Sequence, residues 1–202
     1  MANKVFILIS ALFLVGCVSA KPKMETYMGR AVYDVSIATP PNEVVRNVYE
    51  SISLRSNQLA KTVTFMPPSL PERPGTPTIG IKSFGLGVAT FGLPQTTCDG
   101  AYALMNGLDK GVSSSAYGTS DYASYTSCIY PYKDAFRVYL IGNFISSSSG
   151  GIQGVMAETI KKGVSGAANY DNIYAAWFDS IIKKFKEKIP DAKEIEVSLP
   201  QM

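Results

Sequence analysis

From residue 173 to residue 189 the apolar side chains recur at helical spacing, with Ile173, Trp177, Phe178, Ile181, Ile182, Phe185 and Ile189 on one stripe. A stripe this wide does not stay in water and has to be buried against a second layer. Asp171 or Asn172 offers an N-cap, lysines crowd the last turns where the helix dipole favours cations, and Pro190 stops the run. The rest of the chain supplies strands for that second layer. At residues 30–38, Tyr33, Val35 and Ile37 alternate with Asp34 and Ser36, the pattern of a half-buried strand. Residues 125–130 and 135–145 read as a hairpin joined by Pro131-Tyr132-Lys133-Asp134. Phe136, Val138, Leu140 and Gly142 share one of its faces; Arg137, Tyr139, Ile141 and Asn143 share the other, which is too apolar to be wholly solvated. Residues 194–199 add a closing strand.

A second helix follows the first strand. Thr39 is placed to cap it, Pro40 suits its first position, and Val44, Val45, Val48, Tyr49 and Ile52 form its apolar stripe. Glu43, Arg46, Asn47 and Glu50 fall on the opposite side, and the helix should end near Ser56. Residues 61–66 suggest a short strand, 101–108 a short helix, 109–124 a loop rich in Gly, Ser, Tyr and Ala, and 152–164 a helix or a loop. The Pro-rich stretch 67–75 cannot lie inside a sheet. Glycines scattered through 78–91 suggest bulges or strong curvature. The expected fold is α+β, a curved antiparallel sheet packed on a long C-terminal helix.

The beginning of the chain belongs to a different kind of segment. Lys4 precedes an apolar run from Val5 to Val15, well short of the ~20 apolar residues that a transmembrane helix needs. The run ends in Leu14-Val15-Gly16-Cys17, which resembles the lipobox of bacterial lipoprotein precursors. The resemblance implies a signal peptide at 1–16 and, on Cys17, a thioether-linked diacylglycerol and an N-acyl chain. Each buried CH₂ of such chains contributes roughly 0.8 kcal/mol, and two or three chains hold a protein stably on a membrane. Val18 stands where an aspartate would retain such a protein at the inner membrane, so the resemblance points to the outer membrane, facing the periplasm. Residues 17–29 then read as a tether and 30–202 as a single domain. The order of elements across residues 30–190 also resembles helix-grip domains of outer-membrane lipoproteins, including the BamC-like domains of the β-barrel assembly machinery.

Composition narrows the function. With no histidine in the chain, Ser-His-Asp and Cys-His catalysis and the usual zinc sites are excluded. The 16 carboxylates are dispersed, and Asp99, Asp109 and Asp121 lack calcium-loop spacing, so no metal or free cofactor is expected. Ser180-Ile181-Ile182-Lys183 matches the SxxK spacing but has no companion motif and falls on the polar side of its helix. A formal charge of +3 on 202 residues provides no electrostatic case for nucleic acid. The lysines at 183–188 read as a solvated helix face, against a patch touching anionic headgroups.

Two cysteines remain, Cys98 and Cys128. In an exported chain they most simply form a disulfide; two free thiols, or a redox pair, are the rival reading. Among the 12 tyrosines, Tyr117, Tyr122, Tyr125, Tyr130 and Tyr132 cluster in sequence. They suit either a recognition surface, since tyrosine is enriched at interfaces, or strand-end residues covering a sheet. Together these features lead us to expect a non-catalytic envelope lipoprotein, a binding or accessory subunit with a protein partner and a lipid-anchored attachment to the membrane. The alternative is a carrier of a lipid or other apolar ligand in a cavity between helix and sheet.

Overall fold

The computed structural model describes residues 23–86, 89–109, 120–148 and 173–201. The expectations for residues 1–22, Cys17 among them, for Tyr117, for 152–164 and for the cap at Asp171 or Asn172 lie outside the described residues. The described chain runs β1 (Lys23–Ser36), α1 (Pro41–Ser53), β2 (Ser56–Val63), β3 (Thr78–Leu86), β4 (Ala89–Thr97), β5 (Ala103–Asp109), β6 (Ser120–Tyr132), β7 (Ala135–Ser148), α2 (Ile173–Lys188) and β8 (Lys193–Ser198). Six strands form one antiparallel sheet in the order β2-β5-β6-β7-β1-β8, and β3 with β4 forms a separate two-stranded hairpin. No described helix is long and apolar enough to cross a membrane.

β1 begins at Lys23, inside the segment read as a tether, and pairs with β7 from Lys23–Ser148 through to Ser36–Ala135. The physical reason is that the inward alternation starts early: Tyr27 and Gly29 are buried in line with Ala31, Tyr33 and Val35. The stretch 101–108, expected as a helix, is strand β5, in which Ala103, Met105 and Gly107 face inward. A glycine in a helix interior is unfavourable, whereas here Gly107 lets α1 approach, because a Cβ would lie 2.9 Å from Ile52. Residues 120–124, expected as loop, extend β6. The strand expected at 61–66 is β2 at Ser56–Val63, an exposed edge. The glycine-bearing stretch 78–91 builds the separate hairpin, so it does not curve the main sheet.

α1 starts one residue later than its sequence suggests. The amides of Glu43 and Val44 both donate to the Pro40 carbonyl, at 2.9 and 3.2 Å, so Pro40 is the cap residue and Thr39 belongs to the preceding turn. The helix ends at Ser53, and Asn47, expected on the polar side, is buried together with Ser51. The Ser51 hydroxyl donates to the Asn47 carbonyl at 2.7 Å, so this buried donor is satisfied.

All seven residues of the C-terminal stripe are buried. Yet α2, at 16 residues, reaches only about 24 Å and does not cover the sheet alone. It lies on β1 and β7, while α1 lies beside it on β5 and β6. Its seat is a notch formed by Gly29 and its cross-strand partner Gly142. A Cβ at Gly29 would come within 2.6 Å of the Phe178 ring, so only glycines let the helix sit this close. Around that notch the rings of Tyr27 and Tyr174, and of Phe144 and Tyr174, pack at 5.2 Å, Tyr125 and Phe144 at 5.7 Å, and Tyr33 and Phe185 at 4.9 Å.

The opposite face of the sheet carries a second apolar cluster, Val32, Ala101, Cys128, Tyr130, Tyr139 and Ile141, with Cys98 packed against it. Its cover is irregular chain. In the Pro-rich loop, Pro71 accepts a bond from the Lys133 amide at 3.0 Å, and Gly75 accepts one from the Tyr139 hydroxyl at 3.3 Å. Cys98 and Cys128 are joined in a disulfide with Cα atoms 5.5 Å apart, which resolves the choice between a bridge and two free thiols. Gly100, at φ +72°, makes the tight turn between Cys98 and β5, and the Ala101 amide closes it on the Cys98 carbonyl at 3.1 Å.

Candidate functional site

The tyrosines do not form one surface. Tyr125 points to the helix side, 2 % exposed, and its hydroxyl donates to Asp109 at 3.0 Å. Burial, reinforced by the Asp109 carboxylate, pushes its pKa up. Tyr130 is equally buried on the other face, against Tyr139. Burial there raises its pKa to about 12. Tyr132 is half-buried beside Arg137, at the far end of β6 from Tyr122. A strand turns successive side chains to opposite faces, so Tyr125 points to the helices while Tyr122, Tyr130 and Tyr132 share the other face, spread along β6. Tyr122 alone of the four is exposed, at 41 %.

Tyr122 stands at the mouth of a cleft of about 230 Å³ on the face away from the helices. One wall is the end of β4, residues Pro94, Gln95 and Thr96. The floor is the outer face of three neighbouring strands: Asn106 and Leu108 from β5, Tyr122, Ser124 and Thr126 from β6, and Asn143 and Ile145 from β7. Ladder register explains why they meet. Asn106 stands opposite Thr126, Ser124 opposite Asn143, and Tyr122 opposite Ile145, so alternate residues of three strands make a continuous patch.

Two features set this patch apart. No charged residue is among the described residues of its lining, although the chain carries 19 lysines and arginines. Asn143 and Thr96, 3 and 6 % exposed, each carry a side-chain oxygen that is closed to solvent and has no hydrogen-bond partner among the described residues. Buried polar groups are nearly always paired, because leaving one unpaired costs about 1–3 kcal/mol. Thr126 is satisfied by comparison, donating to Asn106 Oδ1 at 3.0 Å. Ser56 and Ser127 also leave hydroxyls unpaired on the helix side, but neither lines the cleft.

Charged groups elsewhere are engaged in holding strands together. Arg137 donates two bonds to its cross-strand neighbour Asp34, at 2.5 and 2.9 Å, and this pairing raises the arginine pKa. Arg55 lies 3.5 Å from the buried Asp109 carboxylate and over the Trp177 ring at 4.6 Å, tying the end of α1 to β5 and α2. The SxxK pair is occupied locally, with the Ser180 hydroxyl donating to the Trp177 carbonyl at 2.6 Å and Lys183 paired with Asp179 at 2.8 Å.

Sequence reading found Tyr122 but missed Asn143, Thr96, Asn106, Ser124 and Thr126. One signal was present: Asn143 is a polar residue that follows Tyr139 and Ile141 on a strand face too apolar to be wholly solvated. No family model matches the chain. No curated protein matches it either.

Proposed function

We propose that this protein is a non-catalytic binding or accessory subunit of the bacterial envelope, held on the outer membrane by lipid on Cys17 and engaging its partner through the uncharged cleft. The observation that carries the binding role is the cleft itself, which brings the exposed, uncharged side chains of Gln95, Asn106 and Tyr122 together from three strands. The lipobox residues Leu14-Val15-Gly16-Cys17 support the anchorage. Likeness to helix-grip domains belongs to the same proposal and rests on element order alone; function does not follow from it. The alternative, a carrier of an apolar ligand between helix and sheet, finds no support in a layer where Phe144, Phe178 and Phe185 are all at most 1 % exposed.

Two experiments test the reading. Cys17→Ser should move the protein from the membrane fraction to the soluble one, and a variant that still sediments with membranes refutes the anchor. A photoreactive amino acid at position 122 should crosslink to a recurrent species in native envelopes. The same group at exposed position 65 serves as control, and equal yields from both sites refute the cleft as the point of engagement.

A further inference from the structure

We infer that the cleft seats a short, extended and uncharged segment of a partner protein, laid as an added strand along the free edge of β4. The inference rests on the binding role proposed above and names the partner's chemistry and its mode of docking.

The edge comes first. Among the described residues β4 pairs only with β3, and no other backbone hydrogen bond reaches Pro94, Gln95 or Thr96, which wall the cleft. An antiparallel strand turns alternate N–H and C=O groups to each side, so the edge away from β3 carries a row of unpaired donors and acceptors. What complements such a row point by point is another extended backbone. Pro94 has no N–H to give, which interrupts the row and limits an added strand to a few residues. Of the other free edges, that of β8 carries Lys193, Glu194 and Glu196, and neither β8 nor β2 lines the cleft.

Side chains come second. Gln95 on the wall and Asn106 on the floor are exposed primary amides, with the same donor and acceptor groups as a peptide unit. Asn106 Oδ1 accepts from the Thr126 hydroxyl at 3.0 Å, and its amino group supplies donors for a partner carbonyl. The Gln95 amide can both donate and accept. Apolar contact comes from Tyr122 and Leu108, 41 and 36 % exposed. Leu108 pairs with Ser124, two residues along β6 from Tyr122, so the two stand diagonally and can hold one apolar side chain between them. A strand lying here turns alternate side chains to this floor and to solvent.

Charge and size come third. No lysine, arginine, aspartate or glutamate is among the described lining, so an ionic side chain desolvated here would find no counter-charge. The volume, about 230 Å³, is below the ~300–1,000 Å³ of pockets for drug-sized ligands. It suits a short stretch of a chain that continues beyond the cleft.

The test presents the full-length protein to a phage-displayed library of random short linear peptides. Enriched peptides should share a short stretch free of charged residues, with an apolar residue inside it. In a synthetic peptide of that sequence, N-methylation of single amides should weaken binding roughly tenfold or more at every second position and spare the positions between. Gln95→Ala and Tyr122→Ala should each weaken binding severalfold without moving the melting temperature, since both side chains are exposed. N-methylation effects that do not alternate overturn strand addition, and enrichment of acidic or basic peptides overturns the uncharged chemistry. Undiminished binding by both variants overturns the placement at this cleft. No enrichment overturns the peptide class, and the binding role then stands if position 122 still crosslinks more than position 65, the adduct's mass showing a glycan, a lipid or a second copy of this chain. If position 122 crosslinks no more than position 65, the binding role falls with it.

Discussion

On the helix side of the sheet, Phe178 drops into a notch bounded by Gly29 and Gly142, and ring after ring fills the space beside it. On the other side the cover is a Pro-rich loop, a disulfide and the end of a hairpin, and beside that hairpin end lies an open cleft. Regular helices carry periodic side chains that interlock with a pleated surface along their whole length. Irregular chain has no such period, touches the sheet at a few points, and leaves space. The first face therefore holds the fold together and the second is free to carry a site. The stabilising contacts differ accordingly: many dispersed apolar contacts on one side, a few discrete links on the other.

The comparison can be broken most forcefully at Phe178. Phe178→Ala should cost about 3–5 kcal/mol, because the ring is buried and the glycine notch cannot close on the space left. Guanidinium unfolding should show a large drop in midpoint; a drop below about 1 kcal/mol would mean the helix side is not the main source of stability. Opening the disulfide should have a smaller and more local effect. The paired change Cys98→Ser with Cys128→Ser removes a link between residues 30 apart and should cost about 3–4 kcal/mol in the chain-entropy model. Amide exchange should then accelerate around Thr96 to Ala103 more than in β1 and α2. Uniform acceleration would show that the two faces are one cooperative unit.

The smallest effect concerns protons. Tyr130 on the outer face is neutral and buried, with its pKa raised from 10 to about 12. A raised folded-state pKa means that the unfolded chain loses its proton first, so this contribution is complete below pH 10 and is lost as pH rises from 10 to about 12. Tyr33 and Tyr125 on the helix side are raised in the same direction by burial. The Tyr130 hydroxyl has no partner among the described residues, so Tyr130→Phe should leave stability at pH 7 within about 0.5 kcal/mol. Its decline between pH 10 and 12 should be shallower than that of the parent. Denaturant midpoints across that range check this, and identical slopes would show that Tyr130 contributes nothing to the alkaline loss.

Much of the helix side was legible in advance. The stripes of α1 and α2, the hairpin of β6 and β7, and the alternation at Tyr33 and Val35 all appear in place, because periodicity records which face an element buries. The limits were local. Met105 and Gly107 were read with the wrong period, since a run of small and apolar residues fits a short helix as well as a strand. Lys23 to Gly29 looked like a tether because its outward residues are polar, although Tyr27 and Gly29 already belong to the core. The cleft was not legible at all. Thr96, Asn106, Thr126 and Asn143 come from four strands, and no spacing in a chain reports that they converge.

The sequence by itself determined the class of fold, the two buried helix stripes, the pairing of Cys98 with Cys128 as the simplest use of two cysteines, and the absence of histidine chemistry. Those are properties of composition and local period. Tertiary structure alone decided that Gly29 and Gly142 would make a seat for Phe178, that Tyr125 would face the helices while Tyr122, Tyr130 and Tyr132 spread along the other face, and that Asn143 and Thr96 would both line one cleft. Each of these depends on register between strands distant in sequence, and register is set by the packing of the whole domain.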